Sequence, residues 1–138
     1  MSGGTAAGFA HRMRVYYQHT DAAGVVYHSN YLAFMEAART ERLRQHRIDL
    51  GALEQSDGVV FVVRQAQVHF RRPARLDDLI EISAEPSRVG RAHMLFAQVI
   101  RRDNELLVEA SVELACVNPR SWRPVGVPDH VRHALTSA

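Results

Sequence analysis

The spacing of apolar residues changes once along this chain, and that change constrains the fold more than any other feature. From residue 28 or 29 to about residue 47, apolar side chains recur every three or four positions, as in an amphipathic helix. They are Tyr31, Phe34, Met35, Ala38 and Leu43. From residue 59 onward the pattern alternates with a period of two, which indicates strands. A long helix followed by a meander of strands predicts an α+β fold, in which an antiparallel sheet wraps one buried helix.

Turn residues divide the rest of the chain into short elements. Pro73 ends the first long strand of the meander, since proline cannot donate to a ladder, and residues 87–90 and 103–105 are suitable turns. The predicted strands cover residues 12–17, 59–72, 79–86, 92–101 and 106–117, and a last helical turn covers residues 129–135. We expect Arg64 and Phe70 to share one face of the second strand. An edge strand and a helix face that no other element covers predict self-association.

Length and composition describe an ordinary globular chain. Its 138 residues fit one domain, which we place at residues 11–138 after a flexible N-terminus at residues 1–10. The only cysteine, Cys116, excludes an intrachain disulfide and lies in an apolar run, where a buried side chain is expected. The start of the chain lacks the pattern of a signal peptide, and the longest apolar run, residues 59–63, is too short to cross a bilayer. We therefore predict a cytoplasmic protein without a transmembrane segment.

The cationic residues are all arginine, 17 in number, and the formal net charge is +2. A GC-rich genome is one explanation for the absence of lysine. Arginine also binds phosphate in a bidentate fork, so an arginine-rich rim suits a phosphorylated ligand. The charge is spread along the chain rather than concentrated in one patch, which argues against a nucleic-acid partner.

The segment from His19 to Glu36 carries the candidate chemistry. Asp21 lies in a loop of small residues that ends at Gly24, and the long helix begins soon after, with Ser29 or Asn30 as its N-cap. A loop carboxylate can attack a carbonyl carbon or activate water, while the free N–H groups of a helix N-terminus attract the oxygen. The apolar run of residues 25–27 is expected to desolvate the loop and raise the basicity of the carboxylate.

His28 offers two roles at the start of this helix. Its imidazole could act as a general acid or base, or merely line a pocket while its backbone N–H points at the substrate, and we favour the second role. The other histidines are scattered and lack the spacing of a metal site, although His19 and Asp21 are close enough in the loop to share a ligand. Gly-x-Ser-x-Gly, a phosphate loop and Gly-x-Gly-x-x-Gly are all absent, which argues against a serine hydrolase, a nucleotide hydrolase and a dehydrogenase.

The run Thr20-Asp21-Ala22-Ala23-Gly24-Val25-Val26-Tyr27-His28-Ser29-Asn30-Tyr31 closely resembles the signature of the hotdog-fold acyl-CoA thioesterases. Within that group the chain resembles the 4-hydroxybenzoyl-CoA thioesterase family and its YbgC-like branch, named for an association with the Tol–Pal system. Looser similarity extends through residues 34–36, residues 39–41 and the strand at residues 112–117. Relatives commonly carry Gly or Pro-Ala where this chain has Ala22-Ala23, a small change that leaves Asp21 in register.

The resemblance implies a hotdog fold, with an active site at a dimer interface and dimers that often pair into tetramers. It implies that Asp21 is the catalytic carboxylate and that the backbone N–H of His28 polarises the thioester carbonyl. No cofactor or metal is expected, because CoA is already a good leaving group. Residues assigned to substrate contact around the loop and helix start are Gly24, Val25, Tyr27, Asn30 and Tyr31. For the CoA phosphates we assign Arg88, Arg91 and Arg120, with Arg123 as a further candidate, from their turn positions and charge.

Two other functions stay open at this point. Enoyl-thioester hydratases of the hotdog type resemble one another in an aspartate followed by histidine about five residues later, whereas His28 follows Asp21 by seven. The chain could also bind acyl-CoA or acyl carrier protein without catalysis, as a partner in an envelope-associated complex. A basic surface would suit an acidic carrier protein. Neither the acyl group nor the choice between nucleophile and general base for Asp21 follows from the sequence.

Overall fold

A computed structural model of the protein describes residues 8–136. Its strands are β1 (Ala10–Arg14), β2 (Val60–Phe70), β3 (Leu79–Ser83), β4 (Glu85–Val89), β5 (His93–Arg102) and β6 (Glu105–Val117). Its helices are α1 (His28–Arg44), α2 (Leu50–Asp57) and α3 (Asp129–Thr136), and a 3-10 turn covers Tyr17–His19. The flexible N-terminus predicted for residues 1–10 lies mostly outside the described residues. The α+β prediction is confirmed.

The six strands form one antiparallel sheet in the order β1-β3-β5-β6-β2, with β4 also paired to β5. β3 and β4 follow one another along the same side of β5, separated by the buried Ala84. The sequence predicted five strands because its pattern shows no break between β3 and β4, and it placed their common end at residue 86. The predicted turn at residues 87–90 is wrong, since β4 continues to Val89 and the chain reverses over residues 90–92.

A β-bulge in β2 changes which face of the sheet Arg64 occupies. The pairing with β6 shifts between Val63 and Gln65, so Arg64 is the extra residue. Its guanidinium contacts His93 Nε2 at 2.8 Å and the Glu113 carboxylate at 3.6 Å. Phe70 instead contacts Tyr31 of α1, on the face that packs on the helix. The prediction that Arg64 and Phe70 share a face is therefore wrong, because a bulge cannot be read from a period of two.

Helix α1 lies on the inner face of the sheet and buries one side against it. Its buried residues are Tyr31, Phe34, Met35, Ala38, Arg39 and Leu43, which includes every apolar position that the helical spacing predicted. The buried guanidinium of Arg39 donates to Gln98 Oε1 at 2.9 Å, and Gln98 Nε2 donates to backbone carbonyls at Met35 and Ser83. This link fixes α1 to β5 at the centre of the core.

Strand β2 forms one edge of the sheet and is exposed over most of its length. Val63 is 53% exposed and Phe70 is 55% exposed, although both belong to the face that packs on α1. Large exposed apolar groups on an open strand edge are costly for a monomer and are suited to an interface. No helix among residues 8–136 is long and apolar enough to span a membrane.

Candidate active site

The loop that carries Asp21 is a tight hairpin closed by the Thr20–Val26 bridge. The Asp21 N–H donates to the Val25 carbonyl at 2.9 Å, and the Gly24 N–H donates to the Asp21 carbonyl at 3.0 Å. Gly24 has φ +83°, in the left-handed region that favours glycine. The small residues that the sequence places after Asp21 therefore serve to reverse the chain within five residues.

The Asp21 carboxylate stands at the tip of this hairpin, where it is exposed. Its Oδ1 accepts a hydrogen bond from the Ala23 N–H at 2.8 Å, which fixes its direction and leaves Oδ2 without a donor among residues 8–136. Val26 is buried below the loop, but Tyr27 is 47% exposed. The apolar run therefore does not desolvate Asp21 within a single chain, contrary to the sequence expectation. Any dry environment for this carboxylate has to come from a bound ligand or a second subunit.

The N-terminus of α1 has no side-chain cap. Tyr27 occupies the N-cap position and contributes no capping hydrogen bond. Ser29 and Asn30, the predicted caps, lie inside the first turn, and the Asn30 side chain donates instead to the His19 carbonyl at 2.9 Å. The His28 N–H has no acceptor within the helix, because it belongs to the first turn. The uncapped end of α1 can thus donate to an oxygen of a ligand.

His19 has a structural role in this region. Its Nδ1 accepts from the Tyr16 N–H at 2.8 Å, and its ring packs edge-on against Phe34 at 5.0 Å between centroids. Its carbonyl also accepts from the Tyr27 N–H at 2.9 Å. These contacts tie the 3-10 turn to the start of α1, so the imidazole of His19 is not directed at a ligand shared with Asp21.

Residues 73–78, which connect β2 to β3, form a strap beside the Asp21 hairpin. The Ala74 carbonyl accepts from the Val26 N–H at 2.9 Å, and Val25 forms a bridge with Arg75. The Ala74 N–H donates to the hydroxyl oxygen of Tyr31 at 3.0 Å. Tyr31 is 3% exposed, and burial raises the pKa of its hydroxyl. Tyr31 therefore connects α1, through this strap, to the hairpin that presents Asp21.

An ion-pair network holds the strap from its other side. Arg102 pairs with Asp78 at 2.7 Å and with Glu105 at 2.6 Å. The hydrogen bond from Arg102 lowers the pKa of Glu105. Asp78 Oδ2 also accepts the Arg75 N–H at 2.8 Å, so one carboxylate joins Arg102 to the backbone of the strap. The β5–β6 hairpin thereby supports the segment on which the Asp21 hairpin rests.

An open depression of about 260 Å³ lies at the start of α1, at the end of β2. Its walls are Val26, His28, Tyr31, Phe70, Arg71, Arg72 and Pro73. Among the residues assigned to substrate contact, Tyr31 borders this depression, mainly as a buried support. Gly24, Val25, Tyr27 and Asn30 are not among its walls. The depression brings the uncapped helix end together with apolar wall residues, an arrangement that suits a thioester carbonyl and the carbon chain next to it.

The arginines assigned to the CoA phosphates lie at the other end of the sheet. Arg88 in β4 pairs with Leu95, which is aligned with Glu113 of β6, whereas Phe70 of β2 pairs with Val108 near the opposite end of β6. At about 3.3 Å per residue, this offset along β6 is roughly 17 Å. Arg88, Arg91, Arg120 and Arg123 are exposed. Their role in phosphate binding stays a prediction.

Several residues around the site were not found from the sequence. Arg71 and Arg72 border the depression, and Ala74 and Asp78 hold the strap, yet all are about fifty residues from Asp21 in the chain. No local pattern marks them. Pro73, which ends the strand predicted from the sequence, was the available signal, since it lies shortly after β2 in the segment that turns back toward the helix.

Cys116 is buried in the core, and burial raises the pKa of its thiol to about 11. A thiol in that state is a poor nucleophile near neutral pH. Among residues 8–136, no group of three His, Cys, Asp or Glu side chains is placed to hold a metal ion.

Comparison with known proteins identifies relatives over most of the chain. The profile of the thioesterase superfamily matches residues 23–109. The chain is 44% identical over 120 residues to the acyl-CoA thioester hydrolase YbgC of Escherichia coli O6:H1, which covers 86% of this chain and 89% of that protein. It is 41% identical over 128 residues to the acyl-CoA thioesterase YbgC of Haemophilus influenzae, with 93% and 94% covered.

A solved structure agrees with these sequence relations. A probable thioesterase from Bartonella henselae superposes with a TM-score of 0.84 at 37% identity, covering 88% of this chain and all of that one. The likeness therefore extends over most of the fold rather than over one local motif.

Proposed function

We propose that Asp21 and the His28 backbone N–H carry out the reaction of this chain, which belongs to the thioesterase superfamily and is an acyl-CoA thioester hydrolase. The reaction converts an acyl-CoA thioester and water to a free acid and CoA. The observation that carries this proposal is the pairing of a carboxylate on a braced hairpin with an uncapped helix N-terminus directly after it.

The helix end supplies the electrophilic half of the mechanism. The thioester carbonyl oxygen accepts the His28 N–H, and the positive end of the α1 dipole stabilises the negative charge that develops there. Because the donor is a backbone group at a fixed helix end, it needs no reorganisation during the reaction. The His28 imidazole is exposed and packs beside Tyr27 at 4.5 Å between ring centroids, where it lines the site.

Asp21 supplies the other half by one of two routes. As a nucleophile, its carboxylate attacks the carbonyl carbon and expels the CoA thiolate, which leaves a mixed anhydride for water to hydrolyse. As a general base, it takes a proton from the water that attacks the same carbon. The Ala23 N–H bond to Oδ1 leaves Oδ2 for either task.

A second copy of the chain completes the site in this proposal. The exposed β2 edge and its apolar residues Val63 and Phe70 favour pairing of two β2 strands. A two-fold axis makes such pairing antiparallel, so the Val60 end of one copy lies beside the Phe70 end of the other. The arginines at the far end of one subunit then approach the hairpin of its partner, and Asp21 loses solvent. Pairing of dimers into tetramers, use of acyl carrier protein as an acyl donor and a cytoplasmic location stay predictions.

The substitution Asp21→Asn tests the role of the carboxylate. Asparagine keeps the oxygen that accepts the Ala23 N–H, so the hairpin should be retained, while nucleophilicity and basicity are lost. We expect kcat for acyl-CoA hydrolysis, measured by thiol release, to fall by roughly 10²-fold to 10⁴-fold. The matched control is Asp57→Asn, an exposed aspartate in α2, which should hydrolyse like the unmodified protein. Near-normal turnover by Asp21→Asn would remove this residue from the mechanism.

A further inference from the structure

A tight loop follows β6 and presents the only tryptophan of the chain, Trp122. The Trp122 N–H donates to the Asn118 carbonyl at 2.7 Å, and the Asn118 N–H donates to the Arg123 carbonyl at 3.0 Å. A bridge between Val117 and Pro124 closes the base of the loop. The indole itself is 64% exposed, so this braced loop holds its largest apolar side chain in solvent.

Two further features restrict the position of the loop. Asn118 Oδ1 accepts from the Arg120 N–H at 2.8 Å and from the Ser121 N–H at 3.3 Å, which fixes the turn before Trp122. Trp122 has φ +60°, a left-handed conformation that bulky residues rarely adopt. The strain is tolerated because the bonds on both sides determine the backbone. The backbone that carries the indole is therefore braced, and the side chain lies in solvent rather than in the core.

The arginines that flank Trp122 have side chains available for a ligand. Arg120 and Arg123 are exposed, and within residues 8–136 neither guanidinium makes a hydrogen bond or an ion pair. Arg91 lies at the stem of the same loop, since its carbonyl accepts from the Val127 N–H at 2.8 Å. Its guanidinium likewise has no acidic neighbour within the described range. An exposed tryptophan on a braced loop is thus accompanied by nearby arginines in the chain that have no acidic partner among residues 8–136.

We propose that Trp122 stacks on the adenine ring of CoA while Arg120 and Arg123 bind its phosphate groups. A flat aromatic face beside free guanidinium groups is the chemistry that recognises a nucleotide, because each base offers a π-face and each phosphate a fork-shaped acceptor. The acyl chain and the pantetheine arm carry no negative charge that would use these arginines. The assignment rests on the proposed thioesterase function and adds to it the residue that holds the nucleotide end of the substrate.

The fluorescence of the unmodified protein reports directly on this contact, since Trp122 is the sole tryptophan. The protein is titrated separately with CoA, adenosine 3′,5′-bisphosphate and pantetheine. Stacking of adenine on the indole predicts saturable quenching by CoA and by the bisphosphate, and unchanged emission with pantetheine. Unchanged emission with saturating CoA would overturn the assignment. The variant Trp122→Phe gives the background emission from tyrosine.

Kinetics with two substrates separate nucleotide binding from catalysis. For Trp122→Ala we expect KM for an acyl-CoA to rise roughly fivefold to a hundredfold at unchanged kcat, the range that loss of one base-stacking contact produces. Trp122→Phe should restore most of the affinity. Hydrolysis of the matching acyl-pantetheine, which has no nucleotide, should be the same in all three proteins. An unchanged KM for acyl-CoA in Trp122→Ala would also overturn the assignment.

Failure of the proposed catalytic function would give a different result from failure of the nucleotide site. If the unmodified protein hydrolyses neither thioester, the catalytic proposal is wrong. Quenching by adenosine 3′,5′-bisphosphate would still support the nucleotide site in that case, and its absence would contradict it.

Discussion

Two groups of arginines, one at each end of the sheet, differ in whether they form ion pairs. At the end that carries the Asp21 hairpin, Arg71 pairs with Glu109 and Arg72 pairs with Glu105. Arg102 pairs with two carboxylates at the same end. At the other end, the side chains of Arg88, Arg91, Arg120 and Arg123 make no ion pair within residues 8–136.

This difference separates arginines that support local structure from arginines that can bind a ligand. A paired arginine holds local structure and would have to leave a carboxylate before it bound an anion, whereas an unpaired exposed arginine can bind a phosphate without that loss. The three paired arginines at the hairpin end therefore hold local structure, whereas the four unpaired arginines at the far end are available to an anion; Arg64, also at that end, is paired with Glu113. Substitutions at the two ends test this division, and their expected effects decrease from the helix N-terminus to the far arginines.

After Asp21→Asn, the largest effect is expected from removing one backbone donor at the hairpin end. His28→Pro deletes the N–H proposed to stabilise the oxyanion, at the first helical position, where proline is well tolerated. Tyr27 already has ψ 134°, which suits a residue before proline. We expect kcat to fall roughly 10²-fold to 10³-fold, as for loss of one oxyanion donor.

The matched control is His28→Ala, which keeps the N–H and removes only the imidazole. We expect it to retain most of kcat, measured by thiol release under the same conditions. Equal losses in the two variants would instead assign the catalytic role to the imidazole, and circular dichroism of both proteins checks that α1 is intact.

A smaller effect is expected from loosening the support of the hairpin. Tyr31→Phe removes the acceptor of the buried Ala74 N–H without leaving a cavity. We expect the free energy of unfolding, measured by denaturant titration, to fall by about 1–3 kcal/mol, the cost of an unsatisfied buried donor. We also expect kcat to fall severalfold at unchanged KM, because the strap positions Asp21 rather than the substrate.

A double variant distinguishes a positioning role of Tyr31 from a general loss of stability. If Tyr31 acts through Asp21, adding Tyr31→Phe to Asp21→Asn should lower the residual kcat no further. A full additional loss in the double variant would contradict this route.

The smallest effect is expected at the far end. Arg120→Gln removes one unpaired charge, and we expect KM for acyl-CoA to rise about twofold to fivefold at unchanged kcat, as befits one exposed contact in water. The rise in KM should be smaller at high salt, because salt already screens the contact between Arg120 and phosphate in the unmodified protein. Arg12→Gln is the control, since it removes the same charge from β1 at the opposite edge of the sheet. Equal effects of the two substitutions would mean that only net charge matters.

The outcome of the sequence predictions follows a physical rule. The start of α1, its buried face and most strand bounds were predicted within a few residues, because each depends on the local spacing of apolar side chains. The bulge at Arg64, the break at Ala84 and the uncapped N-terminus of α1 were not, because each depends on a partner outside its own helix or strand. Asn30 shows this clearly, since its side chain has a choice of partners and bonds to the carbonyl of His19 rather than to its own helix.

The sequence by itself determined the fold class, the family and the position of a carboxylate just before a helix, since these follow from short-range pattern and from a contiguous motif. The tertiary structure decided that Tyr31 supports the hairpin, that Asp78 and Arg102 brace the strap, and that the assigned arginines lie at the far end of the sheet. The contacts that hold the hairpin and the strap join residues far apart in the chain, 43 positions for Tyr31 and Ala74 and 24 positions for Asp78 and Arg102. A local sequence pattern carries no information about such long-range contacts, which form only when the chain folds.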